Sequence, residues 1–120
     1  MKKFFLYILF LFLGNSAYAW MQNPFTVSYD NDFNPIVSVE LTNATGKNIS
    51  NIDFVIFIER DGANQWDVTA VKELHINESV NMPPSNKRAF KLKPKVPNGW
   101  HVDKVGVEKI RFTDGSIKQY

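Results

Sequence analysis

The sequence predicts an all-β protein, a sandwich of antiparallel strands, and three observations carry that expectation. Apolar and polar residues alternate with period two in one stretch after another, as in Val37-Ser38-Val39-Glu40-Leu41. No stretch beyond residue 19 has the periodicity of an amphipathic helix. Clusters of Asn, Gly, Pro and Asp recur roughly every ten residues, the spacing of short strands joined by turns.

The chain opens differently. Met1-Lys2-Lys3 is followed by an uncharged apolar run over 4–13, then Gly14-Asn15-Ser16 and Ala17-Tyr18-Ala19. A charged start, a short apolar core and small residues at an A-x-A site, in that order, describe a secretory signal. The run is shorter than the ~20 residues a membrane-spanning helix needs. Residues 1–19 are therefore expected to be a signal peptide cleaved after Ala19. The mature protein, residues 20–120, is then periplasmic or secreted.

Export sets the terms for the rest. The chain has no cysteine, so neither a lipid anchor on cysteine nor a disulfide framework is available, and burial alone must stabilise a single domain. Lys2 and Lys3 account for the whole formal charge of +2. Residues 20–120 are thus formally neutral, which argues against a nucleic-acid partner, since such proteins keep a large positive excess.

Seven strands are expected. The first covers 26–29 and is followed by the loop Asp30-Asn31-Asp32-Phe33-Asn34-Pro35. The second, 36–42, turns Val37, Val39 and Leu41 to one face and Ser38, Glu40 and Thr42 to the other, the pattern of a half-buried antiparallel strand. The third, 49–60, is the strongest: Ile52, Phe54, Ile56 and Ile58 point inward, while Asp53, Val55, Phe57 and Glu59 form a wetter face. The fourth is placed at 68–76. Asn81-Met82-Pro83-Pro84-Ser85-Asn86 then makes a rigid crossing, because proline fixes φ and lacks an N–H donor. The fifth, 88–93, turns Phe90 and Leu92 inward. The sixth spans 101–113 and the seventh 116–119, joined by an Asp114-Gly115 hairpin. In the sixth, Val105 and Val107 have odd parity and Ile110 and Phe112 even parity. A bulge near Glu108-Lys109 is expected to put both pairs on one face.

Seven such strands fit an immunoglobulin-like sandwich, with a small barrel as the alternative. The stretch Val37-Ser-Val-Glu-Leu-Thr-Asn43, running into Thr45-Gly-Lys-Asn-Ile-Ser-Asn-Ile-Asp-Phe54, then Pro83-Pro84-Ser85, then Val105-Gly-Val-Glu-Lys-Ile-Arg-Phe-Thr-Asp-Gly115, resembles bacterial extracytoplasmic immunoglobulin-like domains of the FxLYD type. The chain departs from that pattern at Phe57-Ile58-Glu59-Arg60-Asp61-Gly62, which stands where the family has Phe-x-Leu-Tyr-Asp. The resemblance implies a cell-envelope interaction module without assigned chemistry.

Catalytic signatures are missing from the sequence. It has no Gly-x-Ser-x-Gly elbow, no cysteine nucleophile and no glycine-rich phosphate loop. His75 and His101 fall in different predicted strands and read as surface histidines rather than zinc ligands. Asp30-Asn31-Asp32 starts like a calcium loop, but Pro35 and Leu41 stand where such a loop needs glycine and a bidentate glutamate. A turn held by Asx hydrogen bonds is the expectation there, and no cofactor or metal is expected. Asn43, Asn48 and Asn77 each begin an Asn-x-Ser/Thr pattern, and read here as ordinary loop residues.

The candidate sites are therefore contact surfaces. Val55 and Phe57 form an apolar pair on the wetter face of the third strand. Lys91, Lys93 and Lys95 share parity and are expected to line one face of the fifth strand, suited to an acidic partner, anionic lipid or polysaccharide. Trp66 and Trp100, with Trp20, fall at loop or terminal positions. There they serve either as contact residues or as caps on the core. These features point to an exported, non-enzymatic interaction module of the bacterial cell envelope, with an envelope protein as partner, accessory to a larger assembly. The alternatives are a structural or adhesive subunit acting by edge-strand addition and a small envelope enzyme or enzyme inhibitor.

Overall fold

A computed structural model describes residues 21–64 and 66–120; the expected signal peptide and Trp20 lie outside the described residues. Among the described residues eight strands form two antiparallel sheets. One contains β2 (Phe25–Tyr29), β3 (Pro35–Thr42) and β6 (Lys87–Leu92), in the order β2-β3-β6. The other contains β5 (Val71–Met82), β4 (Ile49–Arg60) and β7 (Trp100–Phe112) in that order. On the far edge of β7, β1 (Met21–Gln22) pairs with Val107 and Gly106, and β8 (Ile117–Gln119) pairs with residues from Lys109 to Arg111.

The alternation read in the sequence decides which face each strand buries. Val37, Val39, Leu41, Phe90 and Leu92 come from the smaller sheet. Ile52, Phe54, Ile56, Ile58, Val105, Val107, Ile110 and Phe112 come from the larger. All join one hydrophobic cluster. Phe54 and Phe90 meet across it with ring centroids 5.2 Å apart and planes tilted by 59°, a favourable aromatic geometry.

The seven expected strands correspond to β2–β8 within a few residues apart from one displacement, while β1 and the continuation of β5 over 77–82 are additions. The third expected strand coincides with β4, but the fourth begins later. Residues Val68–Ala70 form a short 3-10 turn, capped by Asp67, whose carboxylate accepts from the Thr69 N–H at 3.0 Å. β5 then runs on to Met82. Asp-x-Thr is a strong local capping signal, and it wins over the β-branched residues of this stretch.

The expected bulge is present. Asp53 pairs with Lys109 but Phe54 pairs with Val107, so Glu108 is the extra residue. A second irregularity leaves Asp103 unpaired between the Phe57–Lys104 and Ile58–Val102 pairs. Together they let Val102, Val105, Val107, Ile110 and Phe112 all pack on the core.

At the end of the sandwich formed by 43–48, 83–86 and 113–116 lies Asn43, the one buried polar residue among the described residues. Its amide donates to the Lys47 and Met82 carbonyls at 2.7 and 2.9 Å, and its oxygen accepts from Thr45 N and Oγ1 at 3.0 and 2.6 Å. Its backbone is tied to Asn86 and Ser85. An Asn in this position cannot carry a glycan in the folded protein.

Candidate functional site

Antiparallel pairing gathers three loops at the other end. Tyr29 pairs with Pro35, Val37 with Leu92, Glu59 with Val71 and Arg60 with Trp100. The loops 30–34, 61–70 and 93–99 therefore share one end of the sandwich. Among the described residues the large exposed hydrophobics are Tyr29, Phe33, Trp66, Val68, Val71 and Ile117. All but Ile117 lie at this end.

Local hydrogen bonds hold these side chains out in water. In 30–34, the Asp30 carboxylate accepts from the backbone N–H groups of Asp32 and Asn34, both at 2.9 Å. The Phe33 N–H donates to the Asp30 carbonyl at 3.0 Å. This is the Asx turn expected from Asp30-Asn31-Asp32. The Asn34 N–H chiefly, then the Asp32 N–H and the Asn34 amide, with Lys93 last, hold the Asp30 carboxyl below its ordinary value against desolvation. The turn puts Phe33 at φ 61, left-handed backbone that is rare for a bulky residue and costs about 1–2 kcal/mol. Phe33 is nonetheless 83% exposed, so burial does not offset that cost.

The described part of 61–70 is also ordered. Asn64 Oδ1 accepts from the Trp66 N–H at 2.8 Å, and Arg60 pairs with Asp67. The Asp67 carboxyl is held low, first by the Thr69 hydroxyl and backbone N–H and then by Arg60. The Asp61 N–H donates to Gly99 O at 2.7 Å, joining this loop to 93–99. On that frame the Trp66 side chain is 80% exposed and Val68 85% exposed. Trp100 has the other role open to it: it packs half-buried against the core edge, with Lys72 Nζ 4.7 Å from its ring.

The two remaining sequence candidates look different in three dimensions. Val55 is 1% exposed, so it offers no surface. It pairs with His75 on β5 and with Gly106 on β7. The imidazole of His75 reaches across β4 to Glu108, Nδ1 to Oε1 3.0 Å, and also meets Glu73 at 3.3 Å. The bulge residue Glu108 and His75 thus meet on the same face as buried Val55. Phe57 is half-buried between its cross-strand neighbours Glu73 and Lys104. Around them, Asn77 bonds Asn51 and Asp53, Lys109 meets Asp53 at 3.5 Å, and His101 meets Glu59 and Asp61 at 3.3 and 2.7 Å. An ionic lattice therefore covers this face, and the apolar pair is not a free patch.

The lysine row is also broken. β6 ends at Leu92, so Lys91 alone stands on a strand. Pro94 cannot continue a ladder. Lys93 and Lys95 belong to the crossing 93–99, where with Asp30, Asn34 and Pro35 they line a shallow groove of about 480 Å³. Their charges thus lie beside the aromatic loops rather than along the sheet.

Among the described residues no three or more His, Cys, Asp or Glu side chains are gathered so as to hold a metal ion. No protein-family profile, curated protein or solved structure matches the chain.

Proposed function

We propose that the chain is an exported, non-enzymatic interaction module of the bacterial cell envelope, immunoglobulin-like in build, which grips a protein partner with its three-loop end. The observation that carries the reading is Phe33, an exposed aromatic in costly left-handed backbone, at the same end as exposed Trp66. Strained residues held by their surroundings concentrate at binding sites, and exposed aromatics supply much of the energy at protein interfaces. The reading as a binder rather than an enzyme rests on the missing catalytic motifs of the sequence. The reading as an exported protein rests on 1–19 and the Ala17-Tyr18-Ala19 site. The immunoglobulin-like assignment is supported by β2-β3-β6 facing β5-β4-β7, with chain crossings between sheets at 43–48, 83–86 and 93–99.

Two measurements test it. The intact mass of the protein recovered from the envelope or medium should match residues 20–120; recovery of the full chain from the cytoplasm contradicts export. Immobilised protein should capture a partner from envelope extract. Phe33→Ser and Trp66→Ser should weaken that capture at any salt concentration, mainly through faster dissociation. Lys93→Glu with Lys95→Glu should act chiefly on association at low salt. Retained binding by both aromatic variants, with loss in the lysine variant, would instead favour anionic lipid or polysaccharide. A structural or adhesive subunit that adds a strand to another sheet is the second reading, favoured by the open edge of β5.

A further inference from the structure

Among the described residues β5 pairs only with β4, leaving its other edge unpaired. It runs Val71–Met82, 12 residues, about twice an average strand. Proline, a common guard of such edges, is absent from it, and its inward-facing charges, Lys72 and Glu78, which guard it against an unmatched strand, are opposite in sign. We propose that this edge binds the same edge of a second copy of the chain, antiparallel about a two-fold axis at His75, to make one continuous sheet.

Sequence complementarity across that axis carries the inference. Lys72, Leu74, Ile76 and Glu78 pair on β4 with Ile58, Ile56, Phe54 and Ile52, all of them core residues. The four β5 side chains therefore share the inward face. With the axis at His75, Lys72 of each copy, on leaving its own Trp100 ring, stands opposite Glu78 of the other, and Leu74 stands opposite Ile76. Each pair occurs twice. Moving the axis to Leu74 puts Lys72 against Ile76, and moving it to Ile76 puts Glu78 against Leu74. With the axis at Asn77, Glu78 faces Ile76. The His75-centred register thus matches apolar with apolar and cation with anion, the pairs that stabilise adjacent strands. On the outer face Glu73 stands opposite Asn77, and the two His75 rings meet at the axis, each already held by Glu73 and Glu108.

A two-fold contact of this kind closes on itself and gives dimers rather than fibres. Antiparallel pairing sends the two aromatic loop ends in opposite directions, leaving both free. The inference goes beyond the loop-end reading. It stands on β5 alone, so its failure leaves the role of Phe33 and Trp66 untouched.

Sedimentation equilibrium of the purified protein, over a wide range of concentrations, tests it. The parent should be a reversible dimer. Glu78→Lys and Lys72→Glu each set like charges opposite one another and should weaken the dimer about tenfold. The double variant Lys72→Glu with Glu78→Lys should restore it, with circular dichroism confirming the fold throughout. A monomeric parent at every concentration overturns the proposal. So does a dimer that ignores both single reversals, or a double variant as weak as either single one.

Discussion

His75 Nδ1 and Glu108 Oε1 meet at 3.0 Å across the outer face of β4, beside Val55, which is buried on the face that alternation marks as wet. Val55→Ala should accordingly cost about 2 kcal/mol, the transfer energy of two methyl groups with a small cavity. Phe54→Ala, in the centre of the core, should cost about 3–5 kcal/mol. Phe57→Ala should cost less than Phe54→Ala because its side chain keeps part of its contact with water. Removing His75 or Glu108 should cost under about 1 kcal/mol, since the pair itself is solvent-exposed. Denaturant titrations read all five; equal losses for Phe54→Ala and Phe57→Ala would contradict the assignment of faces.

The alternation of β3, β4 and β6 made the inward faces legible, and the parity change between Val107 and Ile110 made the bulge legible. The burial of Val55 was not, because its strand is flanked by His75, twenty residues on, and by Gly106, about fifty on. Likewise the run Lys91, Lys93, Lys95 obeys strand parity in sequence, yet Pro94 ends the strand beneath it. Phe33 had a usable signal: an aromatic amid Asp, Asn and Pro, with no alternation to bury it. Trp66 reads in sequence as a loop aromatic, but sequence alone makes it equally a cap on the core, the role Trp100 takes.

Asn43 makes a second test of the packing. Its four side-chain bonds satisfy a buried amide, and unsatisfied buried partners cost about 1–3 kcal/mol each. Asn43→Ala leaves the Lys47 and Met82 carbonyls without this donor and should lower stability by about 3 kcal/mol. A loss within a few tenths of a kcal/mol, measured by thermal and denaturant unfolding, would show that the loops at this end do not depend on it.

The pH dependence has a definite sign. The His101 ring is raised above its ordinary value of 6.5, first by its hydrogen bond to Asp61, which outweighs the opposing effect of desolvation, and then by the charges of Asp61 and Glu59. Folding thus favours the protonated ring. Its contribution is complete below 6.5 and is lost as pH rises through the raised folded value. A nuclear magnetic resonance titration should place His101 above a free histidine, and Asp61→Asn should lower it. On the acid side, Asp114 is depressed to about 2 by the Ser116 hydroxyl and N–H and by Lys47. Its contribution is present above 3.8 and fades as pH falls toward about 2. A His101 that titrates at its ordinary value in the folded protein would contradict the Asp61 contact.

The most direct test of the account is hydrogen exchange of the exported protein, alone and with the partner captured from envelope extract. Binding through the three-loop end predicts slowed exchange confined to 30–34, 61–70 and 93–99. Protection concentrated instead at 43–48, 83–86 and 113–116, with the aromatic loops exchanging as in the free protein, would contradict it.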